Sequence, residues 1–280
     1  MEDKYTVKKI VIGFLKWCFL LFLLAVALLP LLWLILSSLR TNLELQISPF
    51  GWPKNPQWGN YLNALKMASL PRLLVNSLVV AAVAVILNVL ITTMAAYVLS
   101  REHFMGRDVI YTILTAGVLI PVIAFMVPYF TLITKMGLYN NLLALILVYT
   151  AVNIPVSTFL ETGFMKSIPK EIEEAAIIDG CNFYSRFSKI IFPISKSGMV
   201  TAGTFCFTYA WNEFTMAMLL TSSVQSRTVQ LGIKFFTSQF ITDYSSMYAA
   251  IVVTIIPSVT IYALLHDKII GGIAAGSVKG

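Results

Sequence analysis

The amino-acid sequence predicts an all-α integral membrane protein with six transmembrane helices. Two observations carry the prediction. Hydrophobic residues make up 58% of the 280 and charged residues only 12%, against roughly a quarter charged in a soluble domain. Six apolar stretches also approach or exceed the roughly 20 residues that a helix needs to cross about 30 Å of hydrocarbon. Such a surplus of apolar side chains cannot all be hidden in one core, so lipid must be the solvent for much of the surface. The net charge of +7 does not point to nucleic acid, because the bases are scattered between apolar runs, as membrane topology requires. Cys18, Cys181 and Cys206 show no CxxC spacing and His103 lies far from His266. Neither a disulfide framework nor a metal site is expected.

The first stretch, 12–37, follows Lys4, Lys8 and Lys9 as a signal peptide would. Its apolar run is too long for that and no small-residue cleavage site follows, so a retained anchor is expected. The other spans are 74–99, 109–133, 139–163, 199–221 and 247–265. Six spans leave both termini on one side. With the termini in the cytoplasm, 13 of the 20 lysines and arginines fall on inner segments, the orientation the positive-inside rule favours. The chain then divides into an N-terminal segment, first span and outer loop (1–72), a core (73–265) with a polar cytoplasmic hairpin at 166–198, and a cytoplasmic tail (266–280). Pro121, Pro128, Pro155 and Pro257 lie in or near spans. They read either as ordinary membrane-helix prolines or as bends in helices that line a path.

The hairpin contains the most polar long stretch, EEAAIIDGCNFYSRFSKIIFPISKSG at 173–198. Pro169 suits the first position of a helix, with Glu171, Glu173 and Glu174 near the positive end of its dipole. Ile172, Ala175, Ala176 and Asp179 share one face centred on two small residues, and Gly180 stands where a left-handed turn would end the helix. Asn182 can cap a second helix whose Phe183, Phe187, Ile190 and Ile191 form an apolar stripe, with Pro193 expected to stop it. Two uses fit this pattern: docking on another protein, or lying in the lipid interface. The acids favour docking, since the inner leaflet is usually anionic.

Glu174-Ala175-Ala176, then Gly180, then Ile190-Ile191-Phe192-Pro193 resembles the EAA signature of binding-protein-dependent ABC importer permeases, with Phe192 where leucine is usual. Ala96 to Arg101, Gly137 to Asn141, Trp211 to Phe214 and Gly276 to Gly280 resemble the carbohydrate branch, specifically its smaller, maltose-permease-type subunit. The resemblance implies a type I ABC importer transmembrane fold in a bacterial or archaeal cytoplasmic membrane. It also implies a non-catalytic half-pore paired with a second permease subunit, above an ATPase dimer that binds ATP and Mg, and served by an extracytoplasmic solute-binding protein. The hairpin, through Glu174, Ala175, Ala176, Asp179, Gly180, Ile190 and Pro193, would then couple to the ATPase. No GxxxxGK[ST] phosphate loop occurs in the sequence, so no bound cofactor is expected in this chain.

Glu213 lies inside the fifth span beside Trp211 and Asn212. An ionised acid there costs about 2.5–3.5 kcal/mol and should face protein or water. These three residues either line the sugar path, with Trp211 as a stacking platform, or bond to a partner subunit or kinked backbone. Glu161 is expected near the cytoplasmic interface, and Asn76 and Asn88 as interhelical hydrogen-bonding groups. The outer loops 40–72 and 222–246 must supply most of the surface for a binding protein, with Gln225, Ser226 and Arg227 as candidate contacts. An ion- or proton-coupled secondary transporter using Glu213 is the alternative function.

Overall fold

The computed structural model describes residues 2–67, 69–236 and 243–277, and these contain helices and turns but no strand. Four helices are long and apolar enough to span a membrane without a break. They are α1 (Glu2–Ser38), which spans from Val11, and, after the short α2 (Asn42–Ile47) and α3 (Gly59–Met67), α4 (Leu70–Arg101). The other two are α7 (Leu142–Ser167) and α14 (Tyr244–Ser277), the latter up to Lys268. Pro30, Pro155 and Pro257 sit inside helices that continue past them.

The remaining two spans are broken. Between α5 (Arg107–Ala116) and α6 (Met126–Lys135) the chain turns by 99° through two short 3₁₀ turns. Pro121 causes the break: it lacks an N–H and pushes Ile120 to an extended conformation (φ −89°, ψ 121°). Pro128, third residue of α6, falls in a first turn where no N–H is required. The expected fifth span, 199–221, is two pieces. Helix α11 (Lys196–Asn212) ends where Glu213 becomes extended, and α12 (Thr215–Leu220) resumes after it. A second bent pair joins Phe183–Ile194 to α11 at 70°, and with that pair and the α5–α6 pair each counted as one span the total among the described residues is up to six.

The chain folds as two compact units. One comprises 1–68 with 235–253, the other 69–234 with 254–280. In the larger unit α4, α7 and α11 form the packed centre. Small residues allow the close approach: Ala81, Ala84, Ala144 and Ala202 are fully buried, and a Cβ on Gly203 would already press on Val85 and Val89. Polar groups pin the register. Asn88 donates to the Thr150 carbonyl and accepts from Ser157, and Thr92 bonds Glu161 at 3.0 Å. Glu161 is therefore a core residue, not an interfacial one, because it faces α4 rather than the headgroups. In the smaller unit Asp243 caps α14 by accepting from Ser246 N–H and is held by the Asn42 amide.

Candidate coupling hairpin

The hairpin begins at α8 (Glu171–Ile178), two residues later than Pro169 suggests, since Lys170 supplies the first accepting carbonyl. It ends in a Schellman turn: Cys181 N–H reaches the Ala176 carbonyl, Gly180 N–H reaches Ile177, and Gly180 has φ +80°. The Asn182 side chain then accepts from Ser185 N–H and starts α9 (Phe183–Ser185). The second arm is not a regular helix. Residues Arg186–Ile191 form a π turn, and α10 (Phe192–Ile194) follows with Pro193 inside it rather than beyond it. The wide turn lets Phe192 bond five residues back, to Phe187, just before the residue that has no N–H to give. A 70° bend then leads into α11.

The apolar stripe faces inward. Ile191 is buried and Phe183, Phe187 and Ile190 pack around Ala96, Tyr97, Met165 and Ile168 from the ends of α4 and α7. The Phe183 and Phe187 rings lie 5.3 and 5.1 Å from that of Tyr97. This stripe is thus spent on the chain's own core and leaves none for the lipid surface. Beside it sits an ion cluster that a linear reading of charges misses. Glu173 is buried and meets Arg101 at 2.9 Å and Arg186 at 3.8 Å, and it accepts from the Tyr97 hydroxyl. Arg101 also donates to the carbonyls of Met165 and Ile168, which close α7. The spacing offers one clue to Glu173: it is three residues before buried Ala176, on the same helix face.

The outward face of α8 carries Glu174, Ala175, Ile177, Ile178 and Asp179, with Ile178 86% exposed. The two alanines therefore divide, Ala175 outward and Ala176 inward, because consecutive residues on a helix differ by about 100° in direction. Gly180 lies open, with nothing within 4 Å of where its Cβ would be.

The proposed sugar-path residues part company. Trp211 is 1% exposed, stacks on Phe207 and donates from Nε1 to the Thr254 carbonyl, so neither ring face is open to a pyranose. Its polar N–H is fully used within the core. Asn212 is exposed and donates to Thr208 one turn earlier. Glu213 accepts from Met216 N–H, Ala217 N–H and the Tyr149 hydroxyl, all within 3.0 Å. It caps α12 across the break, the kinked-backbone role, and that geometry gives no support to proton carrying.

Nor are the three outer-loop candidates equivalent. Asn140, at φ +60°, binds Ser222, Ser223 and Ser226, and Asn76 donates to the carbonyls of Gln225 and Arg227. Ser226 is buried by its bond to Asn140 and cannot meet a protein from outside, whereas Gln225 is exposed and Arg227 half-buried. Asn76 thus serves the loop rather than a neighbouring helix.

Broken spans around a polar-seamed helical core, with a polar hairpin clamped to its end, define the class as a polytopic helical membrane protein. Residues 88–270 match the family of binding-protein-dependent transport system inner membrane components, and the chain belongs to it. Such a protein is the permease part of an ABC importer and not an enzyme. The chain is 34% identical to a sulfoquinovosyl glycerol transport system permease of Agrobacterium fabrum, over 92% of its length and 91% of the relative's. It is 33% identical to a diacetylchitobiose uptake system permease of Streptomyces coelicolor, over 91% and 85%. Among solved structures, a chain of a bacterial ABC transporter that imports the acidic polysaccharide alginate shares the fold. Its TM-score is 0.80 at 22% identity, covering 92% of this chain and 96% of that one.

Proposed function

We propose that this chain forms half of the pore of a binding-protein-dependent carbohydrate importer and seats its hairpin on a separate ATPase. The observation that carries the reading is the two-sidedness of the hairpin. One side is locked to α4 and α7 through Glu173 and Phe187, while the other offers a small, acidic and apolar face to the aqueous phase. A helix so clamped passes any push on Ala175 or Ile178 directly to two pore helices. ATP and Mg belong to the partner ATPase dimer, and a second permease completes the pore. An extracytoplasmic solute-binding protein supplies the sugar, with Gln225 at its contact. The carbohydrate permeases among the relatives support the substrate class, and we infer an oligosaccharide. The lysine and arginine bias supports a cytoplasmic position for both termini.

Reconstitution in proteoliposomes tests this. Uptake should require this chain, its partner permease and the ATPase together, and Glu174→Lys should release the ATPase or uncouple its hydrolysis from uptake. Transport by the purified chain alone would refute the reading.

A further inference from the structure

The segment after α1 dips back toward the membrane. The chain leaves α1 at Ser38, yet the Trp33 indole donates to the Pro49 carbonyl at 2.9 Å and the Phe50 ring lies 6.2 Å from Trp33. Trp33 is five residues inside the helix, about 7.5 Å below Ser38 at 1.5 Å per residue. Pro49 and Phe50 therefore sit beside the last turns of a helix whose apolar span runs to Ser38. Arg40 makes the dip possible. Its guanidinium, 2% exposed as a residue, donates to the carbonyls of Glu44, Ser48 and Pro49. With three carbonyls satisfied by Arg40, this backbone has fewer polar groups that need water, as backbone beside hydrocarbon requires.

The side chains of this dip point outward and are apolar. Leu43 and Ile47, one turn apart on α2, and Phe50 in the turn after it are 65%, 75% and 86% exposed, and Trp52 is 78% exposed. They continue the exposed apolar surface of α1, where Leu29, Leu32 and Ile35 also face outward. We propose that residues 42–52 form a collar that lies in the bilayer interface around the end of α1. Its occupant is the glycerol and upper acyl region of phospholipid, with Trp52 and Phe50 as anchors. This depth suits an indole, which pairs an apolar ring with one polar N–H. The surface left to a binding protein then shrinks to the polar stretch around Asn55 and to the 222–225 loop, which is independent of whether the hairpin couples.

Quenching of tryptophan emission tests the collar in the assembled transporter, isolated with its co-purifying subunits and placed in phosphatidylcholine–phosphatidylglycerol vesicles. Some vesicles carry bromines near the top of one acyl chain, others near its methyl end. The emission lost on Trp52→Phe is the Trp52 component. It should be quenched several-fold more by the shallow bromines than by the deep ones or by aqueous acrylamide. Strong acrylamide quenching without bromolipid quenching would place Trp52 in water and overturn the collar. A component that neither quencher reaches would place it under a partner subunit and overturn it equally.

Discussion

Removing the Glu173 carboxylate would leave Arg101 buried without an anion and Arg186 with only Glu102, 3.5 Å away. Breaking one partner of a buried pair costs about 3–5 kcal/mol. Glu173→Ala should therefore loosen α8 from α4 and α7, read as faster amide exchange across 171–178 with the membrane helices unchanged. Glu173→Gln keeps the shape and an acceptor for Tyr97 and should fall between. Unaltered exchange in Glu173→Ala would mean that the clamp carries nothing. Gly180 poses a different constraint. Its surroundings are empty, so a substitution there is penalised by φ +80° alone. Gly180→Asn should retain most uptake, because asparagine tolerates the left-handed region, while Gly180→Val should lose it. Equal loss in both would indicate that the site itself is contacted. The two residues also mark what the sequence makes legible. Gly180 is readable because a helix end is a local event, signalled within a few residues. Glu173 is not, because its role is set by Arg101, 72 positions away, and charge order alone makes it another acid in a first turn.

At the scale of elements, long apolar runs and the hairpin's Gly180 turn and Asn182 cap were legible; the breaks in the spans and the place of Pro193 inside α10 were not. Run length cannot tell that Pro121 turns its span by 99° while Pro155 leaves α7 continuous. The difference lies in packing: Pro155 is inside a helix flanked by buried Tyr149, Asn153 and Ser157, whereas neither 3₁₀ turn beside Pro121 holds a buried residue. The break at Glu213 was partly legible: a bond to kinked backbone was among the readings for an acid in an apolar run, but nothing in the run marked where α11 ends. That assignment has a test. Glu213→Gln keeps one acceptor oxygen, enough for one side of the cap, and should keep most sugar uptake with an unchanged pH profile. Glu213→Ala removes the cap and should destabilise the α11–α12 junction by about 1–2 kcal/mol. A Glu213→Gln protein that assembles but carries no sugar would revive a proton-linked role. On the hairpin, Ile178→Asp changes the outward face without touching the clamp. It should weaken ATPase retention in mild detergent while leaving the amount of inserted protein unaltered; full retention would place the docking face elsewhere.

For the whole molecule, orientation is the claim on which the others rest. The hairpin can meet an ATPase only if residues 166–198 lie in the cytoplasm, and the loop at 222–225 can meet a binding protein only if it lies outside. Charge bias argues for this arrangement, because Lys and Arg cross an energised membrane poorly in short loops. The fold adds suitable reporters. Asn55, Phe104 and Tyr184 are all exposed and none takes part in the ion clusters described above. Single cysteines at these positions, in a background lacking Cys18, Cys181 and Cys206, should report sidedness with little disturbance. Cys18 is exposed along α1, and Cys206 is buried between helices, so Cys206→Ala is the substitution most in need of an activity control. A membrane-impermeant maleimide applied to intact cells should label position 55 and spare positions 104 and 184. After permeabilisation all three should react. Labelling of 184 from outside would invert the protein and remove the ATPase from reach of Glu174 and Ile178, whatever their chemistry. Labelling of 55 and 184 from the same side would instead mean that one bent pair fails to cross. The α5–α6 pair is then the one to suspect, since its 99° turn brings both ends of the segment toward one face.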